Sequence, residues 1–267
     1  MTYSNTDFDK IKLAIGASKE SNKLERVVQS VESVKRSEEV LIVGKSLRDK
    51  EIGLNTLEVN KPEKTLVQLL KEEKIDGAIR GNLSAKKSLN NLKNYFNLNK
   101  IYRVALLETK YPEEKKFFLA PIGIDEGRNI GEKEKLVRLS LPLLKKLSLD
   151  KKVGILSSGR KEDTGRSNYI DRDLKESVEL ENRLKRIQDI STRNYNILIE
   201  KAIEESDFIV PPNGVIGNFI FRTLVFLGGG EAIGAPIVNL DKIFVDTSRS
   251  QETYHGSVLL AFKLVRE

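Results

Sequence analysis

The sequence predicts an α/β protein with mainly parallel sheets, built as two α/β/α units, and three observations predict it. Short apolar runs alternate with longer stretches of helical periodicity along the 267 residues. Glycine-bearing turns close several of those runs, as the turns between strands and helices in open sheets do. The alternation breaks at Leu147–Lys152, where Leu-Ser-Leu-Asp-Lys-Lys marks the crossing from one unit to the next.

Taken in order, residues 11–15 read as a short buried strand closed by Gly16-Ala17-Ser18. A helix over about 20–36 follows, with Leu24, Val27, Val28, Val31 and Val34 at helical spacing. Val40–Val43 is a second strand, ending at Gly44-Lys45-Ser46, and about 63–74 a second helix through Leu66, Leu69 and Leu70. Asp76–Ala85 then reads as strand, glycine turn and helix start, with Ser84 placed to cap the helix and leave backbone N–H groups at the sheet's carboxyl end. Arg103–Leu107 and Phe117–Ala120 form an edge hairpin, and about 131–147 a long helix. Val153–Leu156 opens the second series. Its loop, Ser157 to Arg166, holds Ser157, Ser158, Gly159, Arg160, Gly165 and Arg166, the chemistry of a phosphate or carboxylate cradle. Such a loop can equally be a plain surface loop. About 171–205 reads as broken helix and Phe208–Val210 as a strand.

The densest chemistry lies in Pro211–Leu264. Gly214 and Gly217 precede an apolar run, Phe219–Leu227, predicted to be a helix opened by Gly217-Asn218 and stopped by Gly228-Gly229-Gly230. A helix start of this kind can hold an anion. Pro236–Leu240 and Ile243–Thr247 read as strands, the second running into Ser248-Arg249. A hydroxyl and a guanidinium past the carboxyl end of a strand stand where open α/β sheets bind ligands.

GNFIFRTLVFLGGGEAIGAPIV followed by VDTSR resembles the C-terminal signature of phosphate acetyltransferases and butyryltransferases. With ILSSGRKEDTGRSNYIDRD, the chain is similar in blocks 76–85, 154–173 and 211–249 to methanogenesis marker protein 4, a family that carries the name of an Mtx-X type methyltransferase subunit. The resemblance implies a phosphate acetyltransferase-like fold, of the isocitrate/isopropylmalate dehydrogenase type, with a cleft between its units. It implies a discontinuous first domain, residues 1–148 plus 240–267, around a second of 149–239. It implies a transferase in methanogenic archaea, of methyl or acyl groups, and a homodimer. An acyl-phosphate/CoA acyltransferase and a non-catalytic assembly protein of methanogenesis are the alternatives. The resembled turn at Arg80-Gly81-Asn82-Leu83-Ser84 lines the substrate cleft, and Arg222 falls where the family carries a basic residue. Ser248 and Arg249 fall on the Ser-Arg pair. The acetyltransferases place their aspartate base six residues after that arginine, where this chain has His255, with the nearby Glu252 the other candidate base. Catalysis would then rest on Ser248, Arg249 and His255, and anion binding on Arg80, Gly81, Asn82, Ser84, Ser157, Ser158, Gly159, Arg160, Arg166, Gly217, Asn218 and Arg222.

Composition narrows the partners. Lys and Arg total 46 against 39 acidic residues, a net charge of +7, but the charges are interspersed as on solvated helix faces. The chain is therefore expected to bind an anionic small molecule, CoA-like or phosphorylated, and a methanogenesis protein partner, but no nucleic acid. No apolar run approaches the ~20 residues of a membrane span, and the N-terminus has no signal-peptide core, so a cytoplasmic location is expected. With no cysteine and one histidine, neither a transition metal nor a corrinoid is expected on this chain.

Overall fold

A computed structural model describes residues 10–18, 20–47, 53–110, 113–248 and 251–265. In chain order the elements are β1 (Leu13–Ala17), α1 (Ser21–Glu32), β2 (Val40–Gly44), β3 (Asn55–Glu58), α2 (Pro62–Lys71), β4 (Gly77–Ile79) and α3 (Ala85–Phe96). Then come β5 (Ala105–Thr109), β6 (Lys115–Leu119), α4 (Ile130–Lys146), β7 (Lys152–Leu156), α5 (Asn168–Leu184), β8 (Ser191–Asn196), α6 (Ile199–Glu205), β9 (Phe208–Val210) and α7 (Gly214–Phe226). The last are β10 (Glu231–Pro236), β11 (Ile243–Asp246) and α8 (His255–Val265). Two compact units result, residues 1–101 with 233–267 and residues 102–232.

The crossings thus fall at 101/102 and 232/233, against the expected 148/149 and 239/240. Pairing explains the earlier crossing. The β5–β6 hairpin is antiparallel, but β6 runs parallel to β9, which ties it to the sheet of the second unit.

In the first unit the strand order is β3-β2-β1-β4-β11-β10, parallel from β3 to β11, with β10 antiparallel to β11. Strand alternation sorts its faces. Ala14, Leu41, Val43, Ala78 and Phe244 pack with Leu66, Leu70 and Leu92 of α2 and α3. The opposite face meets α1 and α8, which also pack on one another. These buried side chains are apolar at both faces, as a doubly covered parallel sheet requires. The second unit orders its strands β5-β6-β9-β7-β8, parallel from β6 to β8, with α4 against α5 and α6 on β6, β7 and β8.

Four local readings change. β3 and β8 were not expected as strands, and both are sheet edges of largely polar sequence, NTLE and STRNYN, with little apolar alternation to read. β8 therefore breaks the stretch read as helix. α7 begins three residues earlier than expected, because Asn213 caps it, its Oδ1 accepting from the N–H groups of Val215 (3.0 Å) and Ile216 (3.1 Å). β10 covers 231–236 rather than 236–240, pairing through Ala235 and Pro236 with Asp246 and Val245.

Candidate functional site

In the first unit β1 and β4 are parallel neighbours whose chains leave in opposite directions. β1 runs into α1 on one face and β4 into α3 on the other. Such a divergence opens a crevice at the carboxyl edge, the place where open α/β sheets hold ligands. β4 and β11 are also parallel neighbours, so the residues after β11 reach the same edge.

The turn after β4 is built tightly. Gly81 has φ +59°, and a Cβ there would stand 1.9 Å from the Gly16 carbonyl oxygen, so only glycine fits. Asn82 is buried and staples the two loops. Its Oδ1 accepts from the Ser18 N–H at 2.5 Å, and its Nδ2 donates to the Lys23 carbonyl at 2.6 Å. Thr247 Oγ1 donates to the Gly81 carbonyl at 2.7 Å, bringing the β11 exit to the same turn. Ser84 caps α3, its Oγ accepting from Lys87 N–H at 3.5 Å.

Arg80 is buried and directed inward. Its Nε donates to Asp246 Oδ1 and its Nη1 to the Leu83 carbonyl at 2.6 Å. The structure thus gives Arg80 a bracing position between the ends of β4 and β11, where the sequence had it facing substrate. Ser248 is held from both sides. Its N–H donates to Gln251 Oε1 at 2.7 Å, and its carbonyl accepts from the hydroxyl of fully buried Tyr254 at 3.2 Å. Burial raises the pKa of that hydroxyl against the opposing pull of Arg80 and Arg26, so it stays a donor. Arg249 lies outside the described residues.

One residue escaped the sequence reading. Ser18 Oγ is shielded from solvent and has no hydrogen-bond partner among the described residues. It sits at the exit of β1, where the chain turns into α1, a helix with no side-chain cap and no acidic residue in its first turn. A buried hydroxyl left unpaired is costly unless something arrives to use it. The signal in the sequence was a serine directly after an all-apolar strand, masked by the commonness of serine in turns.

His255 opens α8 and its Nδ1 lies 2.6 Å from Ser33 Oγ, just past the end of α1. Thirteen residues separate Ser33 from Glu20, the cap of α1, or about 20 Å along the helix axis. The structure therefore does not gather His255 with Ser18 and Asn82.

In the second unit several polar groups of the Ser157–Arg166 loop are paired within the chain. Ser157 is buried and donates to the Gly159 carbonyl at 3.0 Å. Ser158 N–H donates to Asp173 Oδ2 at 2.6 Å, and its Oγ lies 3.1 Å from Tyr169 OH. Arg160 N–H donates to Asp163 Oδ2 at 2.7 Å, and Arg166 Nε lies 3.1 Å from Asp163 Oδ1. Carboxylates of the chain itself stand where an anion in the expected cradle would stand. At α7, Asn218 Nδ2 donates to the Ile122 carbonyl at 3.1 Å and Arg222 stacks over Phe226, 5.1 Å from the ring centroid. Gly217 lies in the second half-turn and packs so closely that a Cβ would meet Pro121 O at 1.9 Å.

The class this fold defines is that of mainly parallel, two-unit α/β proteins. A branched-chain phosphotransacylase from Enterococcus faecalis has a similar fold, with a TM-score of 0.76 at 16% identity, covering 96% of this chain and all of that one. So has 4-hydroxythreonine-4-phosphate dehydrogenase from Klebsiella pneumoniae, with a TM-score of 0.66 at 10% identity over 96% of this chain and 98% of that one. No family model matches the chain. Among curated proteins, "Putative methyltransferase mtx subunit X" of Methanosarcina acetivorans is 42% identical over 228 residues, 85% of this chain and 80% of its own length. An uncharacterized methyltransferase of Methanopyrus kandleri is 33% identical over 246 residues, 90% of this chain and 93% of its own. The chain belongs to the family of mtx subunit X. No helix among the described residues is long and apolar enough to cross a membrane.

Proposed function

We propose that the chain is a methyltransferase subunit of methanogens, as the names of its relatives describe, and that it holds an anionic, phosphorylated or CoA-like molecule at the carboxyl edge of its first unit. The single observation that carries the site is Ser18 Oγ, buried and unpartnered beside the side-chain-uncapped start of α1. The N–H groups and dipole of a helix start favour an anion. Asn82, Thr247 and Ser248 fix the loops around that place, with the Arg80–Asp246 pair bracing them from below. Arg249, next in sequence, is the group proposed to clamp the anion bidentately.

A subunit acts with a partner, and the corrinoid or metal chemistry of methyl transfer is proposed to reside there. The single histidine of this chain already pairs with Ser33. A thermal-shift screen with CoA, an acyl phosphate, S-adenosylmethionine and methanogen coenzymes tests the reading. Stabilisation by a phosphate-bearing compound, lost in Ser18→Ala, is the expected result. Stabilisation by none of them, or only by S-adenosylmethionine independently of Ser18, would overturn it.

A further inference from the structure

In the second unit α5, the loop before it and the end of β8 enclose a groove of about 410 Å³, a volume within the range of small-molecule sites. Two rows of α5 build it. Leu174, Val178 and Asn182 follow one another at intervals of four, as do Asp171, Lys175 and Glu179, so each row runs about 12 Å along the helix. Val178, in the middle of the first row, is 45% exposed. β8 closes the groove through an irregularity. Ile155 and Leu156 of β7 pair with Asn194 and Asn196, so Tyr195 is an extra residue in β8. Asn194 Nδ2 donates to Ser177 Oγ of α5 at 2.8 Å, while Tyr195 OH donates to Glu205 Oε2 of α6 at 3.0 Å. Asn196 then takes a left-handed φ of 55°, a conformation asparagine tolerates. Its N–H donates to Asn194 Oδ1 at 2.9 Å and its carbonyl accepts from Ser157 N–H at 2.8 Å, which fixes its backbone at the groove.

The charged groups left over in this groove are all positive. Both of its carboxylates are taken within the chain. Asp171 Oδ1 accepts from Gly165 N–H at 2.7 Å, and Glu179 Oε1 accepts from Arg183 Nε at 2.8 Å. The ammonium groups of Lys161 and Lys175 have no hydrogen bond or ion pair among the described residues, nor have the side-chain amides of Asn182 and Asn196. Lys175 stands four residues from Asp171 and from Glu179, the spacing at which helical ion pairs form, and joins neither. We propose that the groove binds a small amphipathic anion. Lys161 and Lys175 meet its head, a carboxylate or a phosphate monoester, as point charges. Its body, an unbranched apolar chain, lies along Leu174 and Val178 and takes their exposed surface out of water. The free amides of Asn182 and Asn196 supply donors beside it. The groove belongs to the second unit and shares no residue with the anion site of the first, so either can fail alone.

A magnetic-resonance shift titration of the isotope-labelled full chain with hexanoate and with hexyl phosphate is the test. At least one of them is expected to saturate, moving the backbone amides of Lys161, Leu174, Val178 and Asn196 together. The tighter of the two names the head group. Acetate keeps the head and loses the chain, hexanol keeps the chain and loses the charge, and each is expected to bind more weakly, acetate by about tenfold. Lys161→Gln combined with Lys175→Gln should weaken the anionic probe about fivefold and leave hexanol unchanged. Val178→Ser should weaken the anionic probe and leave acetate unchanged. All three residues are exposed, so Tm is expected to hold in both variants. Shifts that never saturate, that fall on lysines away from α5, or that are the same in wild type and both variants would overturn the proposal.

Discussion

At the residue scale, a buried ion pair and a half-buried carboxylate make opposite demands. Arg80 and Asp246 form a buried pair whose remaining guanidinium capacity also serves the Leu83 carbonyl. Removing one partner leaves the other ionised in a poor dielectric. Arg80→Met should therefore cost about 3–5 kcal/mol in denaturant unfolding, whereas Arg80→Met with Asp246→Leu should recover a large part of the loss. If Arg80→Met is as stable as wild type, the bracing role is wrong. Asp207, before β9, is the converse case. Burial raises its pKa above the ordinary 3.8, Asp150 adds to the rise, and Lys115 and Lys152 oppose it. Its Oδ2 has no hydrogen-bond partner among the described residues. A carboxyl with a raised folded pKa contributes fully below its unfolded value and loses that contribution as pH rises through the folded value. Asp207→Asn should thus be the more stable protein at pH 7, by about 1 kcal/mol, with the advantage shrinking below about pH 4. Melting curves at the two pH values check this, and an advantage larger in acid would contradict it.

At the element scale, glycine decides how α7 seats. A methyl group at Gly217 would meet the Pro121 carbonyl at 1.9 Å and the Pro211 side chain at 2.9 Å. Gly217→Ala should lift the helix edge and lower stability by about 1–3 kcal/mol, despite alanine's better helix propensity. A variant of equal or higher Tm would show that the contact yields easily. The helix itself was legible in the sequence through its apolar run and glycine stop, but its start was not. Gly214 and Gly217 look like helix openers by their freedom, and here they are helix residues chosen for close approach, with Asn213 doing the capping. Ser84 as the cap of α3 was legible because Ser followed by an amphipathic run has a single local solution. β3 and β8 were not, since polar edge strands carry their information in the neighbouring strand rather than in themselves. The candidate site divides the same way. Gly81 and Asn82 entered the candidate site through the family resemblance of their turn, which by itself reads as an ordinary strand-to-helix turn, while the inward aim of Arg80 depends on Asp246, 166 residues away.

At the scale of the whole molecule, the first unit supplies a crevice between β1 and β4 whose loops are tied by Asn82 and Thr247 but whose Ser18 hydroxyl is left over. The corresponding loops of the second unit are filled by Asp163 and Asp173 from the same chain. That asymmetry is why the anion is proposed to rest on the first unit. Isothermal titration of the full chain with CoA and, separately, inorganic phosphate tests it most directly. The account predicts one site per chain, weakened in Ser18→Ala and by about 1–3 kcal/mol in Arg249→Lys, since lysine cannot reproduce the guanidinium fork, with Tm unchanged in both variants. Heat from neither ligand, or equal affinity in wild type and both variants, would contradict it.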